Sequence, residues 1–309
     1  FGDELVLMLS DMALNEDGSF QDPKHGGYFG DLFGREGGIL LVNGKVMPTL
    51  KVRSGLHQRW RIINAAKTRY YNFRYRGAEW TILGGDGGLA ERSRQSDNVM
   101  IVPSERMDVL FTANDEPGTS RMVKWLPTDR GYGTTFNRFS EDMFVLETVD
   151  MPPVTESPAI PEFLRDIPSV DISEATTRPI DLTIAILGNG VVEMGINHIP
   201  HERAGPIEVT VGDTEIWHVT NNTDFAHPFH LHGYFFQVLD ENRIPEWKDS
   251  VDVPAGEDLK LAVHFGDRPG MWMFHCHILD HAEVGMMGHI RCLPKSLNHS
   301  IPKIRLSIF

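Results

Sequence analysis

The sequence predicts an all-β protein of two Greek-key β-sandwich or barrel domains. Three observations carry that prediction. Apolar and polar residues alternate with a period of two over short runs, as on strands with one buried face. Turn-formers are plentiful, 29 glycines and 19 prolines in 309 residues, and they punctuate most of the gaps between those runs. The stretch 151–179 holds six prolines with Ser, Thr and Glu, the composition of an extended linker. It divides the chain into a domain over 1–150 and another over 180–309, both of ordinary size.

Residues 5–9 read as a buried strand. Residues 10–38 carry Asp, Asn, Gly and Pro with little periodicity and read as a long loop excursion, with His25 in solvent. Strands then fit 50–54, 59–64, 70–75, 80–83, 98–102, 107–112, 121–126 and 143–149. Gly84–Gly88 is a tight turn rather than a phosphate loop, because no helix and no Lys-Ser/Thr pair follows it. Lys51, Arg53, Arg59, Arg61, Arg69, Arg74 and Arg76 are spread over several strands, as on a solvated sheet face. The loop 127–142, with Tyr132, Phe136 and Phe139, reads as a surface connection. Beyond the linker, strands fit 181–187, 207–211, 215–221, 234–240, 258–265, 271–276 and 288–293.

A net charge of −14 argues against nucleic acid as a partner. No apolar run approaches the ~20 residues of a membrane helix. Two cysteines make no disulfide framework, and Cys292 reads as a buried strand residue. The chain opens on Phe1 without a signal peptide and reads as a piece of something longer.

The chemistry lies in two windows of the second domain, His227-Pro-Phe-His230-Leu-His232 and His275-Cys276-His277-Ile-Leu-Asp280-His281-Ala282-Glu283-Val-Gly-Met286. They hold six of the 14 histidines and one of the two cysteines. On a strand, positions i and i+2 share a face, so His275 and His277 point one way and Cys276 the other. His230 and His232 share a face by the same rule. A thiolate, two imidazoles and a weak thioether form the blue-copper ligand set, suited to electron transfer. Cys276, His281 and Met286 are loop-spaced for one copper, and His227 can supply the second imidazole. The other four imidazoles lie back-to-back with that site and would serve further metal ions. Ordinary core histidines explain this poorly, since buried imidazoles and a thiol without a metal would be ill satisfied.

HPFHLHG and HCHILDHAEVGM resemble the two C-terminal copper motifs of the multicopper oxidases, the laccase and cuprous-oxidase group. Leu41-Val-Asn-Gly-Lys, Arg59-Trp-Arg-Ile-Ile-Asn64, Asp86-Gly-Gly, Glu105-Arg-Met-Asp-Val-Leu and Trp247-Lys-Asp-Ser-Val-Asp-Val-Pro are similar to that family's middle and last domains. The resemblance implies two cupredoxin-like domains. It implies that His227, Cys276 and His281 bind a type 1 copper with Met286 axial. His230 would bind a type 2 copper, and His232, His275 and His277 the type 3 pair. The implied activity is one-electron oxidation of phenols, aromatic amines or Cu(I), coupled to reduction of O₂ to water. The reductant would approach an exposed edge of His281 or His227, and Cys276 would relay electrons through His275 and His277. The periplasm or the cell exterior is the location the family implies.

Two departures qualify the resemblance. The family's three-copper cluster uses eight histidines, and residues 1–197 contain only His25 and His57, neither in an HxH pair. The chain therefore reads as the middle and last domains of a three-domain enzyme. An N-terminal cupredoxin domain, cleaved or on a separate chain, would supply the rest. Where many bacterial members carry Glu for proton delivery, this chain has Ala282, leaving Asp280 or Glu283 as substitutes. Met271, Met273, Met286 and Met287 do not amount to a methionine-rich insert. The alternative is a type 1 copper electron carrier without oxidase activity, and blue colour separates both readings from a copper-free relative. His198 and His201 form an HxxH without a further ligand; His57, His218, His264, His289 and His299 read as structural or exposed. Asn221 and Asn298 open glycosylation sequons.

Overall fold

The computed structural model describes residues 4–131, 139–188 and 190–295. Strands dominate, 48% against 5% helix. The first half contributes β1 (Glu4–Met12), β2 (Ile39–Val42), β3 (Thr49–Val52), β4 (His57–Asn64), β5 (Tyr71–Phe73), β6 (Ala78–Gly85), β7 (Gly88–Ser96), β8 (Val99–Ile101), β9 (Arg106–Ala113), β10 (Ser120–Trp125) and β11 (Glu141–Thr148). They form two sheets, ordered β2-β1-β4-β9-β6-β7 and β3-β11-β10-β5-β8. The second half contributes β12 (Thr176–Ile186), β13 (Val192–Ile196), β14 (Ile207–Thr210), β15 (Thr214–Asn221), β16 (His227–Leu231), β17 (Phe236–Val238), β18 (Ser250–Val253), β19 (Asp258–His264), β20 (Gly270–Cys276) and β21 (Met287–Leu293). Its sheets run β13-β12-β15-β19-β17 and β14-β21-β20-β16-β18. Parallel pairing of β1 with β4 and of β12 with β15 closes the same crossover in each half.

Alternation builds each core. In β4, Trp60 and Ile62 are buried between exposed or half-buried arginines. The Trp60 ring stacks on Phe111 at 4.2 Å and meets Trp80 edge-on at 5.5 Å. The second core gathers Trp217, Phe229, Phe265 and Phe274 around β15, β16 and β20. Truncating one of these buried rings costs about 3–5 kcal/mol.

Several sequence expectations need correction. The strand over 5–9 is buried on one face only, with Leu7 and Leu9 inside and Val6 and Met8 outside. Residues 10–38 are not a plain loop: β1 runs on to Met12, Leu14 bridges Phe20, and a helix α1 spans Gly27–Phe33. Arg69 does not lie on a solvated face. It is 2% exposed, lies over the Trp125 ring and pairs with Asp11 at 2.9 Å. The linker 151–179 is bonded along its course. Val154 N donates to Ser54 O, Ser93 N to Glu162 O and Leu164 N to Glu91 O, each at 2.8 Å. Gln237 then ties Pro168 and Val170 to the second half, and β12 has begun by Thr176. The glycine turn does close a hairpin, Gly85 facing Gly88 across β6 and β7. Tyr132, Phe136, Asn298 and His299 lie outside the described residues.

Candidate metal centre

β16 and β20 are antiparallel neighbours, with Phe229 opposite Cys276 and His230 opposite His275. Alternation sends Phe229, Phe274 and Cys276 into the core, and ring contacts gather His230 and His275 on the other side. After Cys276 the chain turns into a short helix α2 (Leu279–Glu283), which returns His281 to the thiol. The Cys276 Sγ stands 3.5 Å from Nδ1 of His227 and 3.5 Å from Nδ1 of His281, and the two nitrogens are 3.1 Å apart. All three residues are 0% exposed. Among the described residues this is the one group of three or more His, Cys, Asp or Glu whose donor atoms converge closely enough for a single ion.

The donors fit a metal. With bonds of about 2.0–2.3 Å in a trigonal plane, donors stand about 3.5–3.7 Å apart, close to the spacing here. Both outer nitrogens are engaged: His227 Nε2 lies 2.9 Å from Thr223 Oγ1, and His281 Nε2 donates to Leu32 O at 3.1 Å. Those bonds leave both Nδ1 lone pairs facing the thiol. Burial, then the His281 and Arg130 charges, pushes His227 well below the usual imidazole range. Burial and Arg130 bring His281 down to about 3. Burial raises the Cys276 thiol instead. Two neutral imidazoles against a thiol poorly disposed to ionise are a set that a bound cation would complete. Met286 is 0% exposed beside them; its N donates to His281 O at 2.9 Å and its O accepts from Cys276 N at 3.1 Å. Gly285 allows this turn at φ +121, where a Cβ would meet Met194 O at 2.3 Å.

On the opposite face His230, His232, His275 and His277 gather. Ring centroids are 4.7 Å apart for His230–His232, 5.4 Å for His230–His277 and 5.3 Å for His275–His277. Nε2 of His232 and of His275 are 3.0 Å apart. His275 turns Nδ1 to Cys276 O at 2.8 Å, and His230 turns Nδ1 to Asp249 O and Ser250 Oγ, both at 2.9 Å. Nδ1 of His277 is buried without a partner. Burial and then the neighbouring imidazoles hold His275 at about 4 and His277 at about 3, and also lower His232. Four gathered imidazoles with an orphaned buried nitrogen do not converge on one ion by themselves, but are donors that metal ions with further ligands could use. Cys276 is thus one peptide unit from a histidine on either side, with its own side chain on the other face.

The excursion closes over the first group. Besides the Leu32 carbonyl on His281, Arg35 is buried and donates to the Asp280 carboxylate through its backbone N at 2.7 Å and Nη1 at 2.6 Å. Lys67 Nζ lies 3.1 Å from the same carboxylate. Lys24 pairs with Glu283 at 3.0 Å. Asp280, 1% exposed, and Glu283 are therefore both tied in ion pairs. The expected exposed edge of His281 or His227 is absent; α1 and Phe225, whose ring meets Phe33 at 5.2 Å, cover them. The sequence carries no functional signal for Leu32, Arg35 and Thr223, and Asp249 and Ser250 enter it only within the stretch similar to the family's last domain. The signal for α1 was faint, two i,i+4 apolar pairs (Tyr28–Leu32 and Phe29–Phe33) in seven residues.

The weaker histidines lie elsewhere. His201 and His289 are not isolated, their ring centroids being 4.8 Å apart. His218 reaches Asp258 at 2.6 Å and His57 reaches Thr112 at 2.7 Å. His25 is half-buried rather than in solvent. Asn221 is 0% exposed and donates to the carbonyls of Phe225, Val253 and Pro254, which leaves its sequon no room for a glycan.

Residues 5–126 and residues 175–296 each match a family description of multicopper oxidases. A laccase of Bacillus subtilis (strain 168) is 30% identical, the match taking in 92% of this chain and 61% of the laccase. The multicopper oxidase mco of Staphylococcus aureus is 28% identical over 84% of this chain and 53% of its own length. A solved multicopper oxidase of Campylobacter jejuni, described as a metallo-oxidase, superposes with a TM-score of 0.81 at 25% identity, covering 95% of this chain and 64% of that one. The chain thus spans little more than half the length of the relatives it matches. With both halves matched and the two histidine groups set about Cys276, the chain belongs to the multicopper oxidase family, which uses copper.

Proposed function

We propose that this chain is the electron-accepting part of a laccase-like oxidase. In this reading His227, Cys276 and His281, with Met286 beside them, hold a type 1 copper. His230 holds a type 2 copper, and His232, His275 and His277 hold the type 3 pair. Copper at these places would take single electrons from a phenol, an aromatic amine or Cu(I) and deliver them to O₂, giving water. The chain's residues supply the rest. Residues 275–277 join the two groups through covalent bonds. The core packed around Cys276 excludes water, and the bonds to Thr223 and Leu32 fix the two imidazoles in advance. Asp280 and Glu283 remain the candidate proton carriers, Asp280 in a buried pair with Arg35 and Glu283 in an exposed pair with Lys24. The remaining cluster histidines would come from an N-terminal cupredoxin domain, and the periplasm or the exterior is the compartment proposed. Among the described residues, no helix is long and apolar enough to cross a membrane.

One observation carries this reading: the Cys276 thiol and four imidazoles occupy opposite faces of one strand pair, joined by two peptide units. An electron carrier would use only the thiol side. The test is copper content and O₂ uptake, with and without a separately produced N-terminal domain. About four coppers and O₂ uptake only with that domain would support the oxidase; one copper and no uptake in either case would favour the carrier.

A further inference from the structure

A second set of contacts between the two halves falls on Lys248–Ser250, beside His230. Arg106, from β9, grips the Asp249 carboxylate with both Nη atoms, at 2.7 Å and 2.6 Å. The same guanidinium donates to Ser104 O at 2.9 Å. Ser104 has a left-handed backbone, φ 70, a state unusual for serine. Its hydroxyl reaches Ser250 Oγ at 2.6 Å. Ser250 is 0% exposed; its Oγ lies 2.9 Å from Asp249 Oδ1, and its N donates to Asp86 Oδ2 at 3.2 Å. Lys248 completes the cluster with Glu105 at 2.8 Å and Asp86 at 3.4 Å. Everything facing Nδ1 of His230 can accept a proton: Asp249 O and Ser250 Oγ at 2.9 Å, with Asp249 Oδ1 at 3.5 Å.

We propose that Arg106, Ser104 and Ser250 are positioning residues for His230. They fix the Asp249–Ser250 segment so that the imidazole is held as its Nδ1–H tautomer, with Nε2 turned to the other three rings. The half of the chain without copper motifs thereby sets the ligand atom of a histidine in the half that has them. The tautomer exists with or without metal, and its use as a ligand rests on the copper reading above. A two-pronged arginine suits the task, because it fixes both position and angle of a carboxylate, which a lysine cannot do.

Long-range proton–nitrogen NMR of the metal-free chain reads the tautomer directly, with His230 assigned through His230→Gln. The unaltered chain should show His230 as Nδ1–H. Ser250→Ala removes one acceptor, and Arg106→Lys keeps the charge while losing the fork. Each should move the tautomer ratio about fivefold toward Nε2–H, the worth of one net hydrogen bond, with His275 unmoved as the internal control. An Nε2–H tautomer in the unaltered chain, or an unchanged ratio in both variants, would overturn the proposal. A shift in Ser250→Ala alone would overturn the part given to Arg106. Copper uptake on the same samples separates the two ideas: the tautomer held but no copper bound would refute the copper reading and leave the positioning intact.

Discussion

Replacing Arg35 by methionine tests whether α1 governs access to the Cys276 group. The stem of the side chain keeps its packing, and the guanidinium that holds Asp280 is lost. Asp280, 1% exposed, then keeps the backbone N–H of residue 35 at 2.7 Å, Lys67 at 3.1 Å and Thr68 at 3.5 Å. The donations to His25 O at 2.6 Å and Gly27 O at 3.1 Å go too, so α1 loses its tie to its own start. Breaking a buried pair from one side costs about 3–5 kcal/mol. Because the loss falls on the closed position of one segment, the open population of α1 should rise by about two to four powers of ten. Hydrogen exchange at Gly34, whose N–H donates to Gly30 O at 3.0 Å, should quicken by a similar factor. On the copper-loaded chain, stopped-flow bleaching of the thiolate–copper band by a bulky hydroquinone should quicken in step. Faster exchange with unchanged bleaching would refute the reasoning, since it would mean that reductants do not approach through α1.

Other expectations concern pH and burial. In the metal-free chain His275 at about 4 and His277 and His281 at about 3 bind fewer protons when folded than when unfolded. Stability should therefore be full above about pH 6.5 and fall by several kcal/mol as the pH drops toward 3; urea midpoints that stay flat over that window would contradict it. Asp252 acts with the opposite sign. Burial lifts its carboxyl to about 6, although Tyr70 donates to it at 2.7 Å. The folded chain holds that proton longer, so stability falls as pH rises from about 3.8 to about 6. Asp252→Asn, which still accepts from Tyr70, should gain about 2–3 kcal/mol at neutral pH and nothing near pH 3. Equal urea midpoints for the two proteins at neutral pH would sink that assignment.

Local alternation makes the centre legible in the amino-acid sequence. It sets Cys276 against His275 and His277, because a strand leaves no other choice, and the loop spacing of His281 and Met286 follows. What stays hidden depends on distant partners. Arg69 reads as one arginine among several on a sheet, and only the approach of Asp11 and the Trp125 ring lets it be buried. Leu32 contributes a backbone carbonyl to His281, a role no side chain advertises. Seven residues are too few for α1 to show a helical period. The hairpin strand β7, polar along most of its length, carries too few apolar residues to alternate, and β18 has only four residues, directly after the charged Lys248 and Asp249. Asp280 reads in sequence as a free carboxylate, and only Arg35, 245 residues away, ties it into a buried ion pair.

The proposed function stands on a copper held by Cys276 with His227 and His281. Copper content and the visible spectrum of the unaltered chain, measured beside Cys276→Ser, test it most directly. The unaltered chain should hold at least one copper with an intense thiolate-to-copper band, and Cys276→Ser should lose both the band and that copper. A colourless copper-loaded chain, or a band that survives the substitution, would contradict it.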